Sequence, residues 1–100
     1  MKILAQKDFK NDSNVYIGKK RSINYVLAAM VILNEERPVR LLARGKSISR
    51  AVDVAEILRN NFIKGANYGE VVIDSEEIPN RDGSKSNVSS MEIEILPPKK

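Results

Sequence analysis

The chain has 100 residues, 42% of them hydrophobic, enough for one domain with a single modest core. With no cysteine and no histidine, disulfides, thiol or imidazole catalysis and most zinc sites are excluded. Residues 1–50 hold 11 Lys/Arg against 4 Asp/Glu and residues 51–100 hold 6 against 9, and a basic half of this kind suits a polyanion partner.

Residues 1–13 are polar and mixed in charge and read as a tail. The chain lacks a stretch apolar enough for a secretory leader or a membrane span, so no membrane partner is expected and the protein is expected inside the cell. "NVYIG" (14–18) reads as a short strand. In 22–34, Ile23, Val26, Leu27, Met30 and Leu33 recur at three- and four-residue spacing, the mark of an amphipathic helix. "NEERP" (34–38) breaks that helix, because proline and the residue before it resist helical geometry. "VRLLA" (39–43) reads as a second strand.

A second helix is expected over "ISRAVDVAEILRNNF", with Ile48, Ala51, Val52, Ala55, Leu58 and Phe62 on one face and Ser47 as its N-cap. Asp53 and Glu56 lie within i+3 reach of Arg50 and Arg59. "KGANYG" (64–69) ends the helix with two glycines. "EVVIDSEEI" (70–78) and "SSMEIEIL" (89–96) read as strands, the latter alternating Met91, Ile93 and Ile95 with Glu92 and Glu94. The polar segment between them, "PNRDGSKSNV" (79–88), is too long for a tight turn and reads as a protruding flexible arm. "PPKK" stops the last strand, leaving residues 14–96 as the domain and 97–100 as a tail.

The order β-α-β-α-β-β, with right-handed crossovers, predicts a two-layer α/β sandwich: a four-stranded mixed sheet, two helices on one face and a protruding hairpin arm. Both strand-to-helix junctions carry a glycine, basic residues and a serine before the helix, and both fall at the same end of the sheet. Lys19, Lys20, Arg21, Arg44 and Lys46 therefore converge on one edge, at helix N-termini where the macrodipole disfavours cations. A phosphate polyanion would relieve that conflict, accepting also from free backbone N–H groups and from the Ser22 and Ser47 hydroxyls. Solvated loop charge is the bland alternative, and the repetition of the motif favours the phosphate reading.

"GKS" (45–47) fails as a nucleotide-binding phosphate loop, since position 40 is Arg where that motif needs glycine. Glu35/Glu36 and Glu76/Glu77 are sequence neighbours better read as solvated charge than as a hydrolase pair. No catalysis and no cofactor are expected. Five aromatics are few for a single-strand stacking platform, which favours backbone binding without base readout. Tyr25, near the basic edge, reads as a half-buried packing residue, with base stacking as the alternative.

"VYIGKKRSINYVLAAMVILN" followed by "ARGKSISRAVDVAEILRNNF" resembles the Alba family of archaeal chromatin proteins, whose hallmarks are a strand ending in G-K-K before an N-Y-V-L-A-A helix and an A-R-G-[RK]-x-I-x-[RK]-A-V-D segment opening the second helix. The resemblance covers residues 14–96 and implies a non-catalytic homodimer, or heterodimer with a paralogue, that binds double-stranded DNA and RNA without marked sequence preference. Such a protein coats and compacts DNA in the cytoplasm, on the chromosome. By position, Lys19 and Lys20 match the paired lysines of the nucleic-acid surface, and Arg44 and Lys46 flank the motif glycine. Arg21, Arg50 and the arm residues Arg81 and Lys85 complete the candidate binding set, and Phe62 matches an aromatic that joins neighbouring dimers. Lys19 and Lys20 are also candidate sites of acetylation, which would remove their charge. Departures are Arg21 where proline is common, a 34–38 turn without its glycine, and an arm whose cations are opposed by Asp82. The same fold and cations would serve an RNA chaperone or ribonucleoprotein subunit, and a basic edge would also suit an acidic protein partner.

Overall fold

The computed structural model describes residues 13–99, so the tail assigned to 1–13 lies, but for Ser13, outside the described residues. The elements are β1 (Asn14–Tyr16), α1 (Ser22–Asn34), β2 (Val39–Arg44), α2 (Ser47–Ile57) running into a π-helical turn (Leu58–Phe62), β3 (Asn67–Pro79) and β4 (Lys85–Leu96). They form the expected four-stranded mixed sheet, in the order β1-β2-β4-β3, with β1 parallel to β2 and the other pairs antiparallel. Val39, Leu41, Ala43, Ile93 and Ile95 point from the sheet into the core, where they meet Val26, Ala29, Leu33, Ala51, Val54 and Leu58 of the helical layer.

Period alone placed the helix faces imperfectly. On α1, Val26 and Leu33 are buried as expected, but Tyr25, Ala29 and Ile32 complete the inward face, while Ile23 and Leu27 are exposed. This helix is apolar nearly all round, so its spacing admits more than one inward face. On α2 the core positions are Ala51, Val54, Ala55 and Leu58; Val52 and Phe62 face outward. The π-helical turn continues the helix to Phe62, and Gly65 (φ +91°) reverses the chain, whereas Gly69 belongs to β3. Ser47 is the first helical residue rather than the cap: Gly45 at φ +55° turns the chain, Lys46 holds the cap position, and no side chain caps the helix.

The 34–38 turn shows where its missing glycine would have stood. Glu36 adopts φ +63°, with Glu36 N–H donating to Leu33 O (2.9 Å) and Arg37 N–H to Ile32 O (3.4 Å). This pairing is a Schellman ending with a glutamate in the left-handed position that glycine usually fills. The backbone pays roughly 1–2 kcal/mol for that geometry.

The arm is more ordered than a flexible loop. β3 and β4 pair residue by residue out to Pro79 and Lys85, so only 80–84 is a turn. Asn80 N–H donates to Ser84 O (2.8 Å), and Asp82 Oδ1 accepts from both the amide (2.9 Å) and the hydroxyl (2.6 Å) of Ser84. Those two hydrogen bonds hold the Asp82 carboxyl below its usual range. Because β2 stops pairing at Ser90, the ribbon beyond it stands clear of the sheet. Deeper in the sheet a bulge lies between Tyr68 and Val71; there a Cβ on Gly69 would collide with the Glu94 carboxylate, which accepts the Glu70 N–H at 3.0 Å.

Candidate nucleic-acid interface

Parallel pairing of β1 with β2 puts both strand-to-helix junctions at one end of the sheet. Ile17 N–H donates to Leu42 O (2.8 Å), carrying the pairing one residue past β1, and Arg50 Nη1 donates to Gly18 O (2.7 Å) across the two junctions. Lys19, Lys20, Arg21 and Lys46 are exposed on the resulting edge, and none has a carboxylate within 4.0 Å among the described residues. Neither helix has a side-chain N-cap or an acidic residue in its first turn. The edge is thus positive twice over, from side chains and from helix ends, with nothing among the described residues to neutralise it.

The remaining candidates are placed differently. Arg44 alternates with buried Ala43 and so lies on the sheet face away from the helices, where Nη1 meets Glu76 Oε1 of the arm stem at 3.1 Å. The same face holds Arg40 against Glu92 (3.0 Å), Glu70 (3.4 Å) and Glu94 (3.8 Å). Between edge and stem runs a groove of about 520 Å³ lined by Tyr16, Gly18, Lys19, Arg44, Glu76 and Glu92, so it mixes both signs of charge. On the arm, Lys85 is paired with Glu77 (3.5 Å), while Arg81 stands exposed at the turn. Arg50 is half-buried and turned to the Gly18 carbonyl instead of to Asp53, whereas the expected Glu56–Arg59 pair forms at 3.3 Å.

Tyr25 is the packing residue its position suggested, more deeply enclosed than half-buried and with a polar role besides. It is buried, 8% exposed, and its hydroxyl oxygen accepts from Gly18 N–H (2.9 Å) and Lys20 N–H (3.0 Å). A ring so enclosed offers no face for base stacking. No sequence signal announces these bonds, because they join a side chain to backbone several residues away.

A second feature lies away from the edge. Val52, Ala55, Tyr68, Val71, Met91 and Ile93 line a wholly apolar groove of about 260 Å³ beside β3, an edge strand of the sheet. Ile73, 72% exposed, extends that strip. At its margin Tyr68 donates its hydroxyl to Glu56, and Arg59 stacks 4.6 Å from the Tyr68 ring centre. The Tyr68 bond, aided by Asn60 and Arg59, holds the Glu56 carboxyl low, while partial burial and the Glu56 acceptor push the Tyr68 phenol up. Phe62 is 43% exposed at the end of α2.

Fold and site define a small two-layer α/β module whose chemistry is concentrated on one cationic edge; among the described residues no cluster of His, Asp or Glu suits a metal and no helix is long and apolar enough to cross a membrane. The Alba family model matches residues 13–75, and the chain belongs to the Alba family, whose members bind nucleic acid and are not enzymes. It is 47% identical over 81 residues to the DNA/RNA-binding protein Alba of Picrophilus torridus, covering 79% of this chain and 89% of that one. To the DNA/RNA-binding protein Alba of Thermoplasma acidophilum it is 48% identical over 82 residues, 81% of this chain and 91% of that one. The solved structure of Alba from Thermoplasma volcanium superposes with a TM-score of 0.78 at 45% identity, covering 83% of this chain and 98% of that one.

Proposed function

We propose that this protein binds DNA and RNA through the edge formed by Lys19, Lys20, Arg21 and Lys46, without catalysis and without marked sequence preference, and that as a dimer it coats and compacts chromosomal DNA in the cytoplasm. The observation that carries the reading is the cationic edge itself: four exposed cations at two helix starts with no neutralising carboxylate among the described residues. Phosphates supply the missing negative charge and accept the uncapped N–H groups. The names of the relatives, DNA/RNA-binding protein Alba, agree with that chemistry.

Dimer formation is supported by the apolar strip along β3. A strand with one edge open among the described residues and flanked by exposed Val71, Ile73 and Val52 suits a second copy of itself better than water. A two-fold would join two edges and two arms into one extended surface. Arg44, Arg81 and Lys85 are secondary contacts in this reading, Phe62 is the contact between neighbouring dimers, and acetylation of Lys19 or Lys20 would weaken binding by removing charge. The test is a titration of duplex DNA and of structured RNA over a range of salt. Binding to both, with a steep salt dependence, supports the reading; RNA binding alone would shift the role to RNA, and a salt slope near zero would overturn it.

A further inference from the structure

The backbone that presents Lys19 and Lys20 is fastened from both helices. Gly18 N–H and Lys20 N–H converge on one oxygen, the Tyr25 hydroxyl of α1, at 2.9 and 3.0 Å. From the other side, Arg50 of α2 donates to the Gly18 carbonyl at 2.7 Å. Both anchors are drawn from the packed part of the molecule: Tyr25 is buried with the core, and Arg50 is half-buried. The residue they share is a glycine for a local reason, since a Cβ at Gly18 would lie 3.3 Å from the Tyr25 hydroxyl. A segment between a strand and a helix would otherwise have to be ordered when a ligand binds, at a cost in affinity. Here its backbone is set when the helices pack.

We infer that Tyr25 and Arg50 are positioning residues of the edge: they hold the Gly18–Lys20 backbone in the form that presents both lysines, and Arg50 acts through the Gly18 carbonyl and not as a phosphate contact. The inference rests on the reading of this edge as the nucleic-acid surface. It makes a specific demand. A positioning residue changes affinity without changing the number of phosphates neutralised, whereas a contact residue changes both.

The experiment uses the full chain, a duplex of random sequence and a salt series, with Tyr25→Phe as the principal variant because it removes one oxygen and no charge. Tyr25→Phe should bind about three- to ten-fold more weakly at every salt concentration, with the salt slope of the parent. The Gly18 and Lys20 amides should exchange with solvent faster, while core amides such as those of Leu41 and Ile95 keep their protection. Arg50→Met should likewise weaken binding with the slope little changed; a fall of about one full unit would make Arg50 a phosphate contact and overturn its assignment. Parental affinity in folded Tyr25→Phe would overturn the role of Tyr25. Should Tyr25→Phe not fold, Gly18→Ala, which crowds the same hydroxyl, provides the same comparison. Lys19→Ala/Lys20→Ala serves as the reference: if it binds like the parent, the edge reading itself fails, and if it is weak while Tyr25→Phe is not, only the positioning role fails.

Discussion

The junction edge and the arm carry the same kinds of side chain and use them in opposite ways. On the edge, Lys19, Lys20, Arg21 and Lys46 face solvent with no carboxylate in reach among the described residues. Along the arm and its stem, Lys85 is paired with Glu77 and Arg44 with Glu76, leaving Arg81 without a carboxylate partner among the described residues. Counting cations therefore misjudges where a polyanion would sit. A lysine already opposed by a glutamate 3.5 Å away releases less counterion, and gains less, on meeting a phosphate. In backbone order the two regions are closer than their charges suggest: the edge is fixed by side chains reaching its backbone, the arm by a strand ladder and a hydrogen-bonded turn.

The comparison breaks most decisively with paired alanines. Lys19→Ala/Lys20→Ala should weaken duplex binding about ten- to a hundred-fold and flatten the salt slope by roughly two units, one per lost contact. Arg81→Ala/Lys85→Ala should cost about two- to five-fold and about one unit, because one of its two cations is already paired. Equal effects from the two variants, read by titration across salt, would erase the distinction between edge and arm.

Phe62 separates assembly from contact. Its exposure makes Phe62→Ala a change of about 1 kcal/mol in thermal stability, well short of the roughly 3–5 kcal/mol of a buried phenylalanine. Binding to a short duplex should be unchanged and cooperativity on long DNA should fall. A large drop in Tm, or cooperativity equal to the parent's, would remove Phe62 from the contact between dimers.

A smaller effect is expected from the arm stem. Glu76→Gln releases Arg44 and should tighten DNA binding about two- to three-fold, an effect that should vanish in an Arg44→Ala background. Persistence of the gain in that background would reduce Glu76 to diffuse repulsion. Acidity should matter least. The Asp82 carboxyl is held low by Ser84, so its contribution to the turn is present above the ordinary aspartate range and is lost only as pH falls through the lowered value. NMR shifts of residues 80–84 should then stay flat from about pH 8 to about pH 5, and a transition inside that window would contradict the hydrogen-bonded turn.

Strong periodicity made much of this readable from the sequence. The alternation through Met91, Ile93 and Ile95 marked β4 with the right face inward, and two glycine-plus-cation junctions in parallel βα units placed the edge. The inward face of α1 was obscured because Ile23, Leu27 and Val31 are as apolar as the residues that do pack, and water meets them in the structure. The outgoing arm strand was read over 70–78, but the start of the returning strand was hidden for the converse reason. Lys85–Asn87 all meet solvent, so no apolar alternation betrays a ladder made of backbone bonds. Arg50 was legible as a cation but not as a clamp, since its partner is a carbonyl that every residue possesses.

The arm is a cantilever, clamped in the sheet at one end and free at the other. Its unsupported stretch from Ser75 to Pro79 is about 16 Å long, so a swing of about 10° at the base carries the tip about 3 Å. That base lies beyond the bulge at Gly69, where a side chain would have to displace the Glu94 carboxylate. The position of Arg81 is therefore set at the clamp, where Asp74 pairs with Ser90 and Ser90 with Arg44, five or more residues from the tip it serves.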